Sequence, residues 1–145
     1  MAELDPKTHE QIKTYCERGD SLVELEEYED AIDQYEKAFD LIPEPKTDWD
    51  TATWVLTALG ETRVFMEDWP NALTVLQQAM HCPDAIGNPF LHFLLGKTQF
   101  ELGNMDRAAD ELTRAYMGSG MDLLGDEDED PKYLAFLRTK IKIAE

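Results

Sequence analysis

The stretch Glu26–Pro43, EEYEDAIDQYEKAFDLIP, decides how this chain folds. Its carboxylates look like a solvated acidic helix, yet Ala31 and Ala38 stand seven apart with Ile32, Tyr35, Phe39 and Leu41 among them. A helix that met only water would have no need of two small residues one heptad apart. Small residues at that interval mark a close approach by another backbone.

The same arrangement occurs three times, as a glycine, an alanine twelve residues on and a second alanine seven further: Gly19, Ala31, Ala38; Gly60, Ala72, Ala79; Gly96, Ala108, Ala115. A large residue stands three before the first alanine, as Tyr28, Trp69 and Met105, and another four after it, as Tyr35, Leu76 and Leu112. Two antiparallel helices joined by a short turn come close only where small residues meet. The glycine therefore predicts the first helix of a hairpin and the alanines the second. The large residues beside this seam are expected to fill the space between one hairpin and the next. A single hairpin cannot bury its apolar face, so the hairpins must stack.

Tyr15, Gly19, Leu22, Tyr28, Ala31, Tyr35, Ala38 and Pro43 closely resemble the tetratricopeptide repeat, a helix-turn-helix of about 34 residues. The second set keeps Leu56, Leu59, Gly60, Trp69, Ala72 and Ala79, and the third keeps Leu95, Gly96, Ala108 and Ala115. The resemblance covers residues 12–118. It implies an all-α fold: a right-handed α-solenoid of three helix hairpins plus a C-terminal capping helix, similar to the short three-repeat form found in bacteria. The repeats would span about 12–45, 53–86 and 89–120, with the capping helix at about 130–144, in one domain over 1–145. Gly19 to Gly60 is 41 residues and Gly60 to Gly96 is 36, so an extended loop is expected at PEPKTD, read as a tolerated surface insertion.

Boundary signals agree. Asp5-Pro6, Asn88-Pro89 and Asp130-Pro131 each place a capping side chain before a proline suited to the first helical turn, and Trp69-Pro70 follows Asp68 similarly. Gly103-Asn104 separates the helices of the third hairpin, and Gly118 and Gly120 are expected to end the last one. Seven helices result. The seventh, from about Pro131 to Ala144, carries Leu134, Leu137 and Ile141 on one face.

The chain has 145 residues, 43% hydrophobic and 30% charged, as expected of a soluble globular domain. Against 31 acids stand 13 Lys and Arg, a formal charge of -18. A phosphate-binding surface needs a basic footprint, so nucleic acid is not an expected partner, whereas an acidic surface steers cationic proteins or peptides toward it. Cys16 and Cys82 form no zinc spacing and no disulfide framework. There is no signal peptide and no apolar run long enough for a bilayer, so a cytoplasmic location with no membrane partner is expected.

In tetratricopeptide proteins the first helices of successive repeats line a concave groove that holds an extended peptide or a partner helix. By position the resemblance assigns Lys13, Cys16, Asp20, Val23 and Glu24 to that lining. From the second repeat come Trp54, Thr57, Glu61, Val64 and Phe65, and from the third Phe90, Phe93, Lys97, Phe100 and Glu101. Family members that grip acidic chaperone tails use Lys, Arg and Asn at such places. Asp20 and Glu61 fall where that clamp has Asn, which implies a different ligand. An aromatic and acidic lining suits one with apolar anchors and positive charge. Val64 and Phe100 also sit where packing needs bulk, whereas Trp54, Phe65 and Phe93 are expected to be partly exposed.

No phosphate loop, nucleophile elbow or metal-binding helix motif is present, and His9, His81 and His92 fall at unrelated places, read as surface or groove residues. No catalytic residue, metal or cofactor is expected. GDEDEDP, Gly125–Pro131, lacks the alternation and closing glutamate of an EF-hand and reads as a mobile acidic loop. Two functions remain open. One is an adaptor or chaperone that holds a partner segment in the groove. The other is an acidic inhibitor of the immunity-protein kind that neutralises a basic enzyme such as a nuclease toxin, with the eight acids of Asp20–Glu36, free of Lys and Arg, as its surface. Self-association through an open apolar end is a third possibility.

Overall fold

Side-chain caps start two of the long helices, and small residues set where paired helices meet. In the computed structural model, which describes residues 3–143, eight α-helices follow in order: α1 Pro6–Glu24, α2 Tyr28–Asp40, α3 Asp50–Phe65, α4 Trp69–Ala79, α5 Pro89–Glu101, α6 Met105–Ser119, α7 Met121–Leu124 and α8 Lys132–Arg138. No strand occurs among the described residues. The chain divides into two compact units, Met1–Pro83 with α1 to α4 and Asp84–Glu145 with α5 to α8.

All six seam alanines are fully buried. The glycines stand at the contact within each hairpin, as expected, but what meets each of them is a large side chain. A Cβ on Gly19 would lie 2.6 Å from the Tyr35 ring, on Gly60 2.3 Å from Leu76, and on Gly96 2.5 Å from Leu112. The large residue four after the first alanine therefore seats on the glycine of its own hairpin, and does not merely fill space between hairpins. Any side chain there would occupy the volume that the knob needs.

The three inter-helix turns are built alike from the backbone. Glu26, Glu67 and Gly103 each adopt a left-handed conformation, with φ of 59°, 57° and 84°. In each, the next residue donates its N–H to a carbonyl five back: Glu27 to Leu22, Asp68 to Arg63 and Asn104 to Gln99, all at 2.9 Å. This is the Schellman closure, which satisfies carbonyls that a helix end leaves open.

The N-caps divide. Asp5 accepts from the Thr8 N–H, and Asn88 accepts from the Phe90 and Leu91 N–H groups. The Asp68 carboxylate makes no cap bond and instead takes Arg63 and Asn71. Asp130 accepts from the Lys132 N–H, but Pro131 itself is the cap of α8. Gly118 lies inside α6, where a Cβ would meet Pro89 at 2.5 Å, and Gly120 ends the helix. The C-terminal region is split into α7 and a short α8, and Ala144 lies outside the described residues. The PEPKTD segment is more than a spacer: Lys46, on a single 3-10 turn at Lys46–Asp48, donates from Nζ to the carbonyls of Phe39 and Ile42, capping the end of α2.

The first repeat is polar where the others are apolar. Val55 and Leu91 are buried, but their counterpart is the half-exposed Thr14, and Leu59 and Leu95 correspond to the exposed Arg18, whose guanidinium lies 5.8 Å from the Tyr15 ring. Polar side chains suit positions that face water rather than a packed neighbour.

Candidate partner-binding site

On α3, Trp54, Glu61 and Phe65 are spaced seven and four apart, which keeps them within a stripe about 40° wide along roughly 16 Å of helix. The opposite face of α3 is packed with Ala52, Val55, Leu56, Leu59 and Val64. Packing of that face leaves Trp54 62% exposed and Phe65 48% exposed, and one side of the Phe65 ring stacks on Tyr28 at 5.9 Å. The corresponding stripe of α1 is Lys13, Asp20 and Glu24, all exposed. Thr57 lies on the same side of α3 but spends its hydroxyl on the Thr53 carbonyl at 2.6 Å. Thr53 in turn donates to the Pro83 carbonyl at 2.8 Å.

Asp20 is held in place. The Tyr35 hydroxyl, reaching from the knob that sits on Gly19, donates to its carboxylate at 2.6 Å. Burial, then the bond to Asp20, and further the charge of Glu61 all push the Tyr35 pKa well above the usual phenol value, so the phenol stays protonated and keeps its proton for the bond to Asp20. Cys16 is pushed up to about 11, first by burial and then by Asp20 and Glu17, and as a protonated thiol it is a poor nucleophile.

The third repeat departs from expectation. Phe93 is only 3% exposed, contrary to the sequence reading, because it belongs to a core with Leu112, Ala115, Leu124, Tyr133 and Leu137. Lys97 is buried beside the Phe93 ring, 4.6 Å from its centroid, and both oxygens of Glu129 accept from its ammonium at 3.2 Å. Glu101 accepts from Lys132 at 2.7 Å. Phe100 packs edge-on against Tyr133 and Phe136 at 5.3 and 5.1 Å. Phe90 is half-buried. Glu129 is thus fixed by Lys97, which corrects the reading of the acidic loop as wholly mobile. The engaging residues Glu129, Lys132, Tyr133 and Phe136 were not singled out from the sequence. The available signal was Lys97 itself, a cation where the other repeats place Asp20 and Glu61, followed by an acidic run.

His92 is buried, a second correction. Its Nε2 accepts from the Gly87 N–H at 2.9 Å, which leaves the ring proton on Nδ1, 2.6 Å from Glu111. Both nitrogens are engaged, so the ring anchors the turn before α5 to α6. Among the described residues no three His, Cys, Asp or Glu side chains converge as a metal-binding set, and no helix is long and apolar enough to cross a membrane.

Residues 10–81 match the family model described as tetratricopeptide repeat. No curated protein sequence matches the chain. Solved structures share its fold at low identity. The Arabidopsis OM64 TPR domain has a TM-score of 0.73 at 14% identity, covering 92% of this chain and 99% of that one. The Yersinia enterocolitica type III secretion chaperone SycD, in complex with a peptide of the translocator YopD, gives 0.67 at 17%, covering 95% of each chain. The first TPR of Spaghetti (RPAP3), bound to the HSP90 peptide SRMEEVD, gives 0.67 at 16%, covering 90% and 92%. The glycine knob sites, the buried alanine pairs and these matches agree: residues 10–81 match the tetratricopeptide-repeat model, and the described residues have an all-α, TPR-like helical repeat fold.

Proposed function

We propose that the chain is a non-enzymatic interaction module, an adaptor or chaperone, that holds a partner polypeptide on the inner-helix stripes of the Met1–Pro83 unit. Trp54 and Phe65 take apolar partner residues, and Asp20, Glu24 and Glu61 favour a partner with positive charge. The observation that carries this is the exposure of Trp54 on a helix whose other face is fully packed. A large aromatic held in water by a rigid helix costs free energy that a bound apolar group recovers. Two proteins of the same fold are seen with peptides, which is consistent with this use.

Affinity capture from the native lysate, comparing the natural chain with Trp54→Ala and with charge reversal at Glu26, Glu27 and Glu29, tests the reading. A partner lost from Trp54→Ala and kept by the charge-reversed chain supports it. The opposite pattern refutes it and favours the inhibitor.

A further inference from the structure

The segment that follows the Met1–Pro83 unit and opens the next is tied at each end by a side chain. Where the first unit ends, the Thr53 hydroxyl donates to the Pro83 carbonyl at 2.8 Å. Where the Asp84–Glu145 unit begins, the Gly87 N–H donates to His92 Nε2 at 2.9 Å. The two ties differ in kind. A threonine hydroxyl bonded to a carbonyl has nothing that titrates, whereas an imidazole nitrogen accepts only while it carries no proton.

Protonation of His92 would turn that acceptor into a donor aimed at another donor. The residue is 2% exposed, so water cannot stand in for the lost bond while the segment stays in place. The other nitrogen is satisfied in either state, because the Glu111 carboxylate of α6 accepts from Nδ1 at 2.6 Å and pairs equally with an imidazolium. Arg107 and Arg114 stand one turn to either side of Glu111, and Asp84 lies in the joining segment. All three are exposed, and Arg114 is paired with Asp110, so solvent screens them and the buried contact with Glu111 dominates. What yields is the backbone of Asp84–Gly87. Asp84 and Gly87 hold left-handed conformations, with φ of 59° and 91°, and the aspartate does so at a cost that release would relieve. Of these four residues the buried side chain is the methyl of Ala85. Asn88 caps α5 through the Phe90 and Leu91 N–H groups, so the helix start does not depend on the Gly87 bond.

We infer that His92 is a proton-operated latch on the segment between the two units: neutral, it holds Asp84–Gly87 to the start of α5, and protonated it keeps Glu111 and lets that segment go. This device is independent of the interaction reading above.

The test is backbone amide exchange followed by NMR on the full chain from about pH 8 to about pH 5, with protonation of the His92 ring read in the same samples. Protection of the Gly87 N–H should fall by about tenfold or more as the ring takes its proton, while the Asn104 N–H, in the α5–α6 turn of the same unit, keeps its protection. His92→Gln, whose amide oxygen can accept the same bond and does not titrate, should protect Gly87 evenly across the series. Glu111→Gln removes the counter-charge of the imidazolium and should move the loss to lower pH. Unchanged protection of Gly87 across the ring's titration overturns the latch, as does a ring that takes no proton while the chain is folded. Loosening of Asn104 in step with Gly87, or the same pH dependence in His92→Gln, also overturns it. Should His92→Gln fail to fold, an unmoved transition in Glu111→Gln is enough to reject the proposal.

Discussion

In the Met1–Pro83 unit the inner helix α3 presents Trp54, Glu61 and Phe65, with both aromatics open to water. In the Asp84–Glu145 unit the positions one repeat on are Phe90, Lys97 and Glu101, and there the chain supplies its own partners: Glu129 for Lys97 and Lys132 for Glu101. Tyr133 and Phe136 close over the neighbouring Phe100. One repeat leaves this face of its first helix exposed, whereas the other has it covered by residues that follow in the same unit. The difference teaches that a position inherited from a repeat pattern predicts location along a helix, and that what the chain places opposite it decides its role.

The contrast breaks most sharply where the covering segment is cored. Leu137 is fully buried against the Phe93 cluster, so Leu137→Ala should cost about 2–5 kcal/mol, while Trp54→Ala should change stability by less than about 0.5 kcal/mol. Chemical denaturation measures both, and comparable losses would dissolve the distinction. Next come the glycines that both units share. Gly60→Ala and Gly96→Ala should each cost about 1–3 kcal/mol, because the added methyl must displace a packed leucine. A thermal melt unchanged by either would show that the knob sites have slack.

The Lys97–Glu129 pair sharpens the comparison at a lower level. Glu129→Gln should destabilise by about 1 kcal/mol, since it leaves a mostly desolvated ammonium with weaker compensation, and the double change Lys97→Met, Glu129→Leu should recover most of that loss. A pH series probes the open unit. Cys16 and Tyr35 have folded pKa values above their ordinary 9.0 and 10.0, so the folded state holds those protons more firmly. Their contribution is complete below about pH 9 and is lost as pH rises through the folded values, so the melting temperature should fall in that alkaline window, less steeply in Tyr35→Phe. The smallest effect is a gain. Glu26→Gly or Glu67→Gly relieves a left-handed residue and should stabilise by about 0.5–1 kcal/mol, whereas Gly103→Ala should destabilise.

Much of the fold was legible because close backbone approach admits few residue types. Alanines at one heptad and glycines twelve before them are a steric signature that can be read without coordinates. What escaped were features set by the backbone or by distant sequence. Glu26 and Glu67 carry no glycine to announce their left-handed turns, and only Gly103 does. The burial of Phe93 depends on Tyr133 and Leu137, some forty residues away, and no local pattern at Phe93 shows it. Trp54 and Phe65 were legible as exposed because Trp54, seven before Glu61, and Phe65, four after it, lie on the side of α3 away from Leu56, Leu59 and Gly60.

The three Schellman turns have a further consequence. Main-chain bonds close each turn where a hairpin doubles back, so an exposed side chain such as Trp54 on α3 carries little duty in folding. Substitutions at such a position leave the turns as they are, since the bonds that close them come from the backbone.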